Sequence, residues 1–118
     1  DAPSTRDGAI NRDVLAEWLG ADRAGIKALL RKFEVSATDT EAAINEAWRA
    51  ADLASLAAAA HRLKGAAQAI GAVDLGLCTH ELEQTSKAGD RDGCRSQLGR
   101  VATELRRALA KIKAEYSA

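Results

Sequence analysis

Apolar residues recur at steps of three and four along most of this chain, which is the spacing of one buried face on an α-helix. The first such run is short. Asn11 caps a helix to about residue 19, with Val14, Leu15, Trp18 and Leu19 on one side and Gly20 behind it. Asp22 then opens a longer run through Ile26, Leu29, Leu30, Phe33, Ala37, Ile44, Ala47 and Trp48. The weak helix formers Ser36 to Thr40 interrupt it without shifting its phase. Two helices, the second opened by a Thr38–Glu41 capping box, are the alternative to one helix over 22–50; the unbroken phase favours one. Asp52 caps the next run, Leu53, Leu56, Ala60, Leu63, Ala67 and Ile70, and Gly71 stops it. Leu75, Cys78 and Leu82 mark a helix over 73–87, ended by Gly89. Cys94, Leu98, Val101, Leu105, Leu109, Ile112 and Tyr116 mark a last one over 91–115.

The connections are short, so neighbouring helices run antiparallel. The expected fold class is all-α: an antiparallel up-down four-helix bundle with a short additional N-terminal helix. Residues 1–10, broken by Pro3 and Gly8, read as a linker or loose arm, and residues 11–118 as the bundle. The chain begins at Asp1 rather than Met, which suggests a processed chain or an excised domain, with excision the favoured reading.

Composition agrees and narrows the function. With 118 residues the chain is one domain, and 3% aromatic content implies a core of small and aliphatic side chains. The formal net charge is zero, so no global field draws in nucleic acid, and the basic run from Arg106 to Lys113 is interleaved as on a solvated helix face. No apolar run is long enough to span a membrane, and no signal-peptide pattern is present. Cys78 and Cys94 fall on core positions without metal-ligand spacing and read as buried thiols of an intracellular protein.

One stretch departs from the ordinary pattern. His61, Lys64, Gly65 and Gln68, at offsets 0, 3, 4 and 7, share a helix face about 140° from the core stripe. The expectation is an exposed histidine. The plain alternative is a surface histidine beside a surface lysine. Against it, Ala57, Ala58 and Gly65 leave the surroundings of His61 free of long side chains, and a mid-helix glycine costs roughly 0.5–1 kcal/mol relative to alanine. Close approach by another molecule would offset that cost. A neutral imidazole is a good nucleophile toward phosphorus, and the nearby Lys64 cation would steady phosphoryl charge. If the helices either side of Ala72 form an antiparallel hairpin, positions i and 144 − i face each other, which sets Glu83 opposite His61. A carboxylate there would accept the Nδ1 hydrogen and leave Nε2 free; a solvated helix residue is the other reading of Glu83.

Rival chemistries fit less well. His61, Cys78 and His80 lie on different helices without acidic partners, so no metal site is expected. His80 reads as an exposed residue with no lysine or glycine arranged around it. No nucleophile elbow and no Gly-rich phosphate loop occur, which removes Ser-His-Asp hydrolysis and ATP binding.

The run His61-Arg62-Leu63-Lys64-Gly65-Ala66-Ala67, followed by Ile70-Gly71-Ala72, resembles the phosphorylation motif of histidine-containing phosphotransfer (HPt) domains. The resemblance spans about residues 11–115 and includes Gly20-Ala21-Asp22 and Leu77 to Glu83. It implies that His61 accepts a phosphoryl group from a receiver-domain aspartate and passes it to the aspartate of a response regulator. It assigns Lys64 to phosphate stabilisation, Gly65 to clearance for the receiver and Glu83 to holding the imidazole. Ala57, Ala58, Arg62 and Gln68 join Gly65 as the docking surface, with a contribution from the helix over 22–50 whose residues the sequence does not name. The resemblance further implies a phosphohistidine carrier without autokinase or ATPase activity, cofactor or metal. Its partners would be receiver domains, with no nucleic acid and no membrane contact. It implies a cytoplasmic monomer, either a free-standing protein or, as the favoured reading, the C-terminal module of a bacterial hybrid sensor kinase. The alternative is a non-catalytic helical interaction module that uses the same face for docking alone.

Overall fold

The structure, a computed structural model, describes residues 23–116. The expected arm over 1–10, the short helix over 11–19 and the Asp22 cap lie outside the described residues. Within them the chain forms four helices: α1 (Arg23–Arg49), α2 (Leu53–Ala69), α3 (Val73–Lys87) and α4 (Arg91–Tyr116). Residues 23–49 are one helix, as the unbroken apolar phase favours. The threonines in its weak centre are accommodated by back-bonding. Thr38 Oγ1 donates to the Glu34 carbonyl and Thr40 Oγ1 to that of Ser36, both at 2.8 Å. The Thr38 hydroxyl is thereby committed to the preceding turn and caps nothing.

Three connections of the same design reverse the chain. In each, two backbone N–H groups reach back over the end of the helix: Ala51 to Trp48 O and Asp52 to Ala47 O, Gly71 to Gln68 O and Ala72 to Ala67 O, Gly89 to Ser86 O and Asp90 to Thr85 O. This is the Schellman pattern, whose penultimate residue takes positive φ. Glycine fills that position twice, at Gly71 (φ 71°) and Gly89 (φ 76°), and Ala51 (φ 56°) fills it once. Each turn hands over at once to a new helix. Asp52 caps α2 through the Ser55 N–H, and Asp90 accepts from the Gly93 N–H at 3.0 Å. Ala72, at the same place before α3, is fully buried in the core, where an aspartate would be stranded.

Turns this short force antiparallel neighbours, so the helices form an up-down four-helix bundle. α2 and α3 make the tightest pair; α1 packs on α2, α4 on α3, and α1 touches α4 more sparingly. The core is the expected stripe: Leu30, Phe33, Ala37, Ile44, Leu56, Ala60, Leu63, Ala67, Ile70, Leu75, Cys78, Leu82, Cys94, Val101, Leu105 and Ile112 are buried. Leu53, Leu98 and Leu109, expected in the core, are half-buried at its margin. Both cysteines are free, buried thiols. At the end that carries the 50–52 and 88–90 turns, Arg91 and Arg95 lie over the Trp48 ring at 5.7 and 5.9 Å and tie α1 to α4. Arg100–Glu81 and Arg107–Asp74 ion pairs link α3 to α4 along the outside.

The small residues of α2 let its neighbours come close on two sides. Ala57 and Ala59 are buried along with Ala60. Ala57, expected on the open docking face, thus belongs to the interior, because α3 closes over that flank of α2, while Ala58 beside it stays exposed.

Candidate functional site

His61 stands on the outer face of α2 in its third turn, with its side chain 66% exposed. Facing it from α3 is Glu83, whose side chain is only 4% exposed. The two meet at 3.0 Å, Nδ1 to Oε2. An ionised carboxylate can only accept, so Nδ1 carries the hydrogen and donates it, and in the neutral ring the lone pair is on Nε2.

A carboxylate this buried needs counter-charge. Two lysines supply it. Lys64 Nζ lies 2.7 Å from Oε1 and Lys87 Nζ 3.1 Å from Oε2. The Lys64 contact is a close ion pair poorly aligned as a hydrogen bond, so Oε1 keeps an unused acceptor direction. Lys64 does most to hold Glu83 ionised. Burial works against it, Lys87 and His61 add to it, and the carboxyl is pulled from 4.5 down to about 2.

Lys64 corrects the expectation of an exposed lysine. Its side chain is 17% exposed. The helical wheel of α2 by itself points it outward, but α3 covers that side and Glu83 draws the ammonium inward. His80 is corrected with it: its Nδ1 lies 3.4 Å from Lys64 Nζ, and Gly76 stands one turn before it, so a lysine and a glycine do surround this histidine.

An open groove of about 830 Å³ runs past His61, lined by Ala54, Ala57, Ala58, Arg62, Glu83, Ser86 and Lys87. Arg62 stands between it and a second groove on α1, lined by Arg31, Lys32, Val35, Ser36, Asp39 and Thr40. Gln68 belongs to neither groove. It lines a third depression with Gly71, Val73, Gly76, Leu77 and His80, beyond Lys64. Gly65 is exposed, and a Cβ built on it meets nothing within 4 Å, so no packing among the described residues demands glycine there. Lys87 went unrecognised in the sequence although it lies four residues after Glu83, the spacing at which helical side chains pair.

Among the described residues no group of His, Cys, Asp and Glu is arranged to hold a metal ion, and no helix is long and apolar enough to cross a membrane.

The fold and the site together define a class: a four-helix module that carries an exposed imidazole tethered through Nδ1 to a buried carboxylate, with cations beside it. The family is narrower. The Hpt domain model matches residues 28–115, and the chain belongs to that family. No characterised protein and no solved structure matches the chain closely enough to compare. Family membership makes it a histidine phosphotransfer domain of two-component phosphorelays, a type of domain that interacts with receiver domains.

Proposed function

We propose that His61 is the phosphoryl carrier of this domain. It takes the group on Nε2 from the aspartyl phosphate of one receiver domain, that of a hybrid sensor kinase, and gives it to the aspartate of a response regulator. The observation that carries this reading is the His61–Glu83 pair, an exposed ring tethered through Nδ1 at 3.0 Å to a buried carboxylate. Such a tether fixes the tautomer and aims the other nitrogen outward. Lys64 steadies the transferred phosphoryl group, and Glu83 orients the ring. Ala58, Arg62 and Gly65 form the contact surface, Ala57 lends it a floor, and Gln68 meets the partner at its far edge. The α1 groove extends this surface, and the receiver supplies the metal and acidic residues of its own pocket.

The domain works as a monomer at the cytoplasmic C-terminal end of a sensor kinase; four long helices enclosing one core favour the monomer. Incubation with a phosphorylated receiver tests the reading. Wild type takes up label and His61→Gln takes up none; equal labelling of both would exclude His61. Lys64→Ala accepts phosphate more slowly, and an unchanged rate would remove it from the site.

A further inference from the structure

Lys64 meets two side chains of α3, and only one of them is an anion. Its Nζ lies 2.7 Å from Glu83 Oε1 and 3.4 Å from His80 Nδ1. Resting on the reading of Lys64 as the cation that steadies the phosphoryl group, we infer that His80 is a positioning residue: the neutral acceptor that holds the Lys64 ammonium beside His61.

The register of the α2–α3 hairpin brings the pair together. It sets Glu83 opposite His61, and one helical turn further along it sets His80 opposite Lys64. An ammonium can only donate. The His80 ring therefore meets it as an acceptor, through an unprotonated Nδ1, and in the neutral ring its hydrogen is on Nε2. That is the opposite tautomer to His61, whose Nδ1 donates to Glu83. His80 is exposed, so water satisfies its Nε2–H.

A lysine carries its charge on a long flexible stem, and one ion pair does not fix it. Lys87 shows as much: it meets Glu83 Oε2 at 3.1 Å, yet its side chain stays 58% exposed against 17% for Lys64. Glu83 is also a shared partner, because His61 and Lys87 both use its Oε2 and its Oε1 is poorly aligned toward Lys64. His80 adds the second fixed point. The depression it lines beyond Lys64, with Gln68, Gly71, Val73, Gly76 and Leu77, has no charged side chain in its walls to draw the ammonium away. Neutrality matters for the chemistry. Arg62, Lys64 and Lys87 stand around His61 and its tether, with Glu83 the one carboxylate among them. A second carboxylate at position 80 would hold the ammonium too, but it would cancel charge that an incoming phosphoryl group, with its roughly two negative charges, has to meet. An imidazole nitrogen accepts the hydrogen bond and adds no anion. His80 acts on the phosphoryl group only through Lys64.

Single-turnover transfer from a phosphorylated receiver to the whole chain, followed against receiver concentration, tests the inference. His80→Leu lowers the maximal rate about three- to tenfold, the loss of one exposed hydrogen bond from a charged donor, and leaves the half-maximal concentration unchanged. His80→Asn, whose Oδ1 falls near the place of Nδ1, restores most of the rate. In the Lys64→Ala background His80→Leu costs nothing further, because the group it acts through is gone. A loss of equal size with and without Lys64, or one confined to the half-maximal concentration, would make His80 a docking contact and overturn the inference. 15N NMR of the unphosphorylated wild-type chain checks the geometry with no variant and no receiver. With both rings neutral, His80 carries its hydrogen on Nε2 and His61 on Nδ1; a His80 hydrogen on Nδ1 would equally overturn the inference. Failure of the carrier reading takes this inference with it but looks different: wild type then exchanges phosphate with no receiver, while the His80 tautomer stands as stated.

Discussion

Gly65→Ala separates the needs of the fold from those of the site. A Cβ at position 65 meets no atom within 4 Å, so the added methyl clashes with nothing among the described residues. Position 65 lies inside α2, where glycine costs roughly 0.5–1 kcal/mol relative to alanine. The variant should therefore be more stable by that amount, which for a domain of this size raises Tm by about 2–8 °C. At a docked receiver the same methyl is overpacking, typically worth 1–3 kcal/mol, or a transfer rate lower by about 5- to 150-fold. Gly99→Ala is the control: Gly99 is also exposed inside a helix with nothing within 4 Å of a built Cβ, but it lies on α4, away from His61. It should gain stability and leave transfer unchanged. Thermal denaturation and a phosphotransfer time course on the three proteins decide the matter. A loss of stability in Gly65→Ala would mean that the space beside it is filled, and an unchanged transfer rate would mean that no partner uses the clearance.

Other consequences follow from particular residues. Glu83 titrates at about 2 when folded against 4.5 otherwise, so the stability it lends is complete above about pH 4.5 and lost as pH falls toward 2. By linkage the loss reaches at most about 3 kcal/mol; urea titrations from pH 6 to 2 should show a shallower acid limb in Glu83→Gln, and identical limbs would refute the pairing. Ala51 holds a left-handed conformation (φ 56°) that costs a non-glycine residue about 1 kcal/mol, so Ala51→Gly should raise the urea midpoint; a fall would contradict the geometry of that turn. Burial pushes the Cys78 thiol up to about 11, so an alkylating reagent at pH 8 should leave it unmodified in the folded chain and label it in urea.

Much of this architecture is legible in residue spacing, because helix periodicity and three short turns leave little freedom. The hairpin register i to 144 − i sets Glu83 opposite His61, and their side chains lie 3.0 Å apart. What spacing does not carry is the shape of the space between helices. A wheel drawn for α2 gives Lys64 to solvent; α3 covers it, and a buried carboxylate holds its ammonium. Ala57 reads as open face and is interior for the same reason. Lys87 is invisible to an argument that matches heights across a hairpin but not neighbours one turn on. Gln68 shares the helix face of His61, yet the bundle divides that face into separate depressions. Ala51 gives no sign in the sequence, since the position it fills ordinarily calls for glycine.

The proposed function comes down to one atom, Nε2 of His61. The chain, phosphorylated by a receiver domain, should carry its label as an acid-labile N-linked phosphate on His61 and surrender it to a second receiver. Phosphopeptide mapping under alkaline conditions, followed by a chase with the second receiver, reads both. Label on His80 or on a hydroxyl, or label at His61 that no receiver removes, would contradict the account.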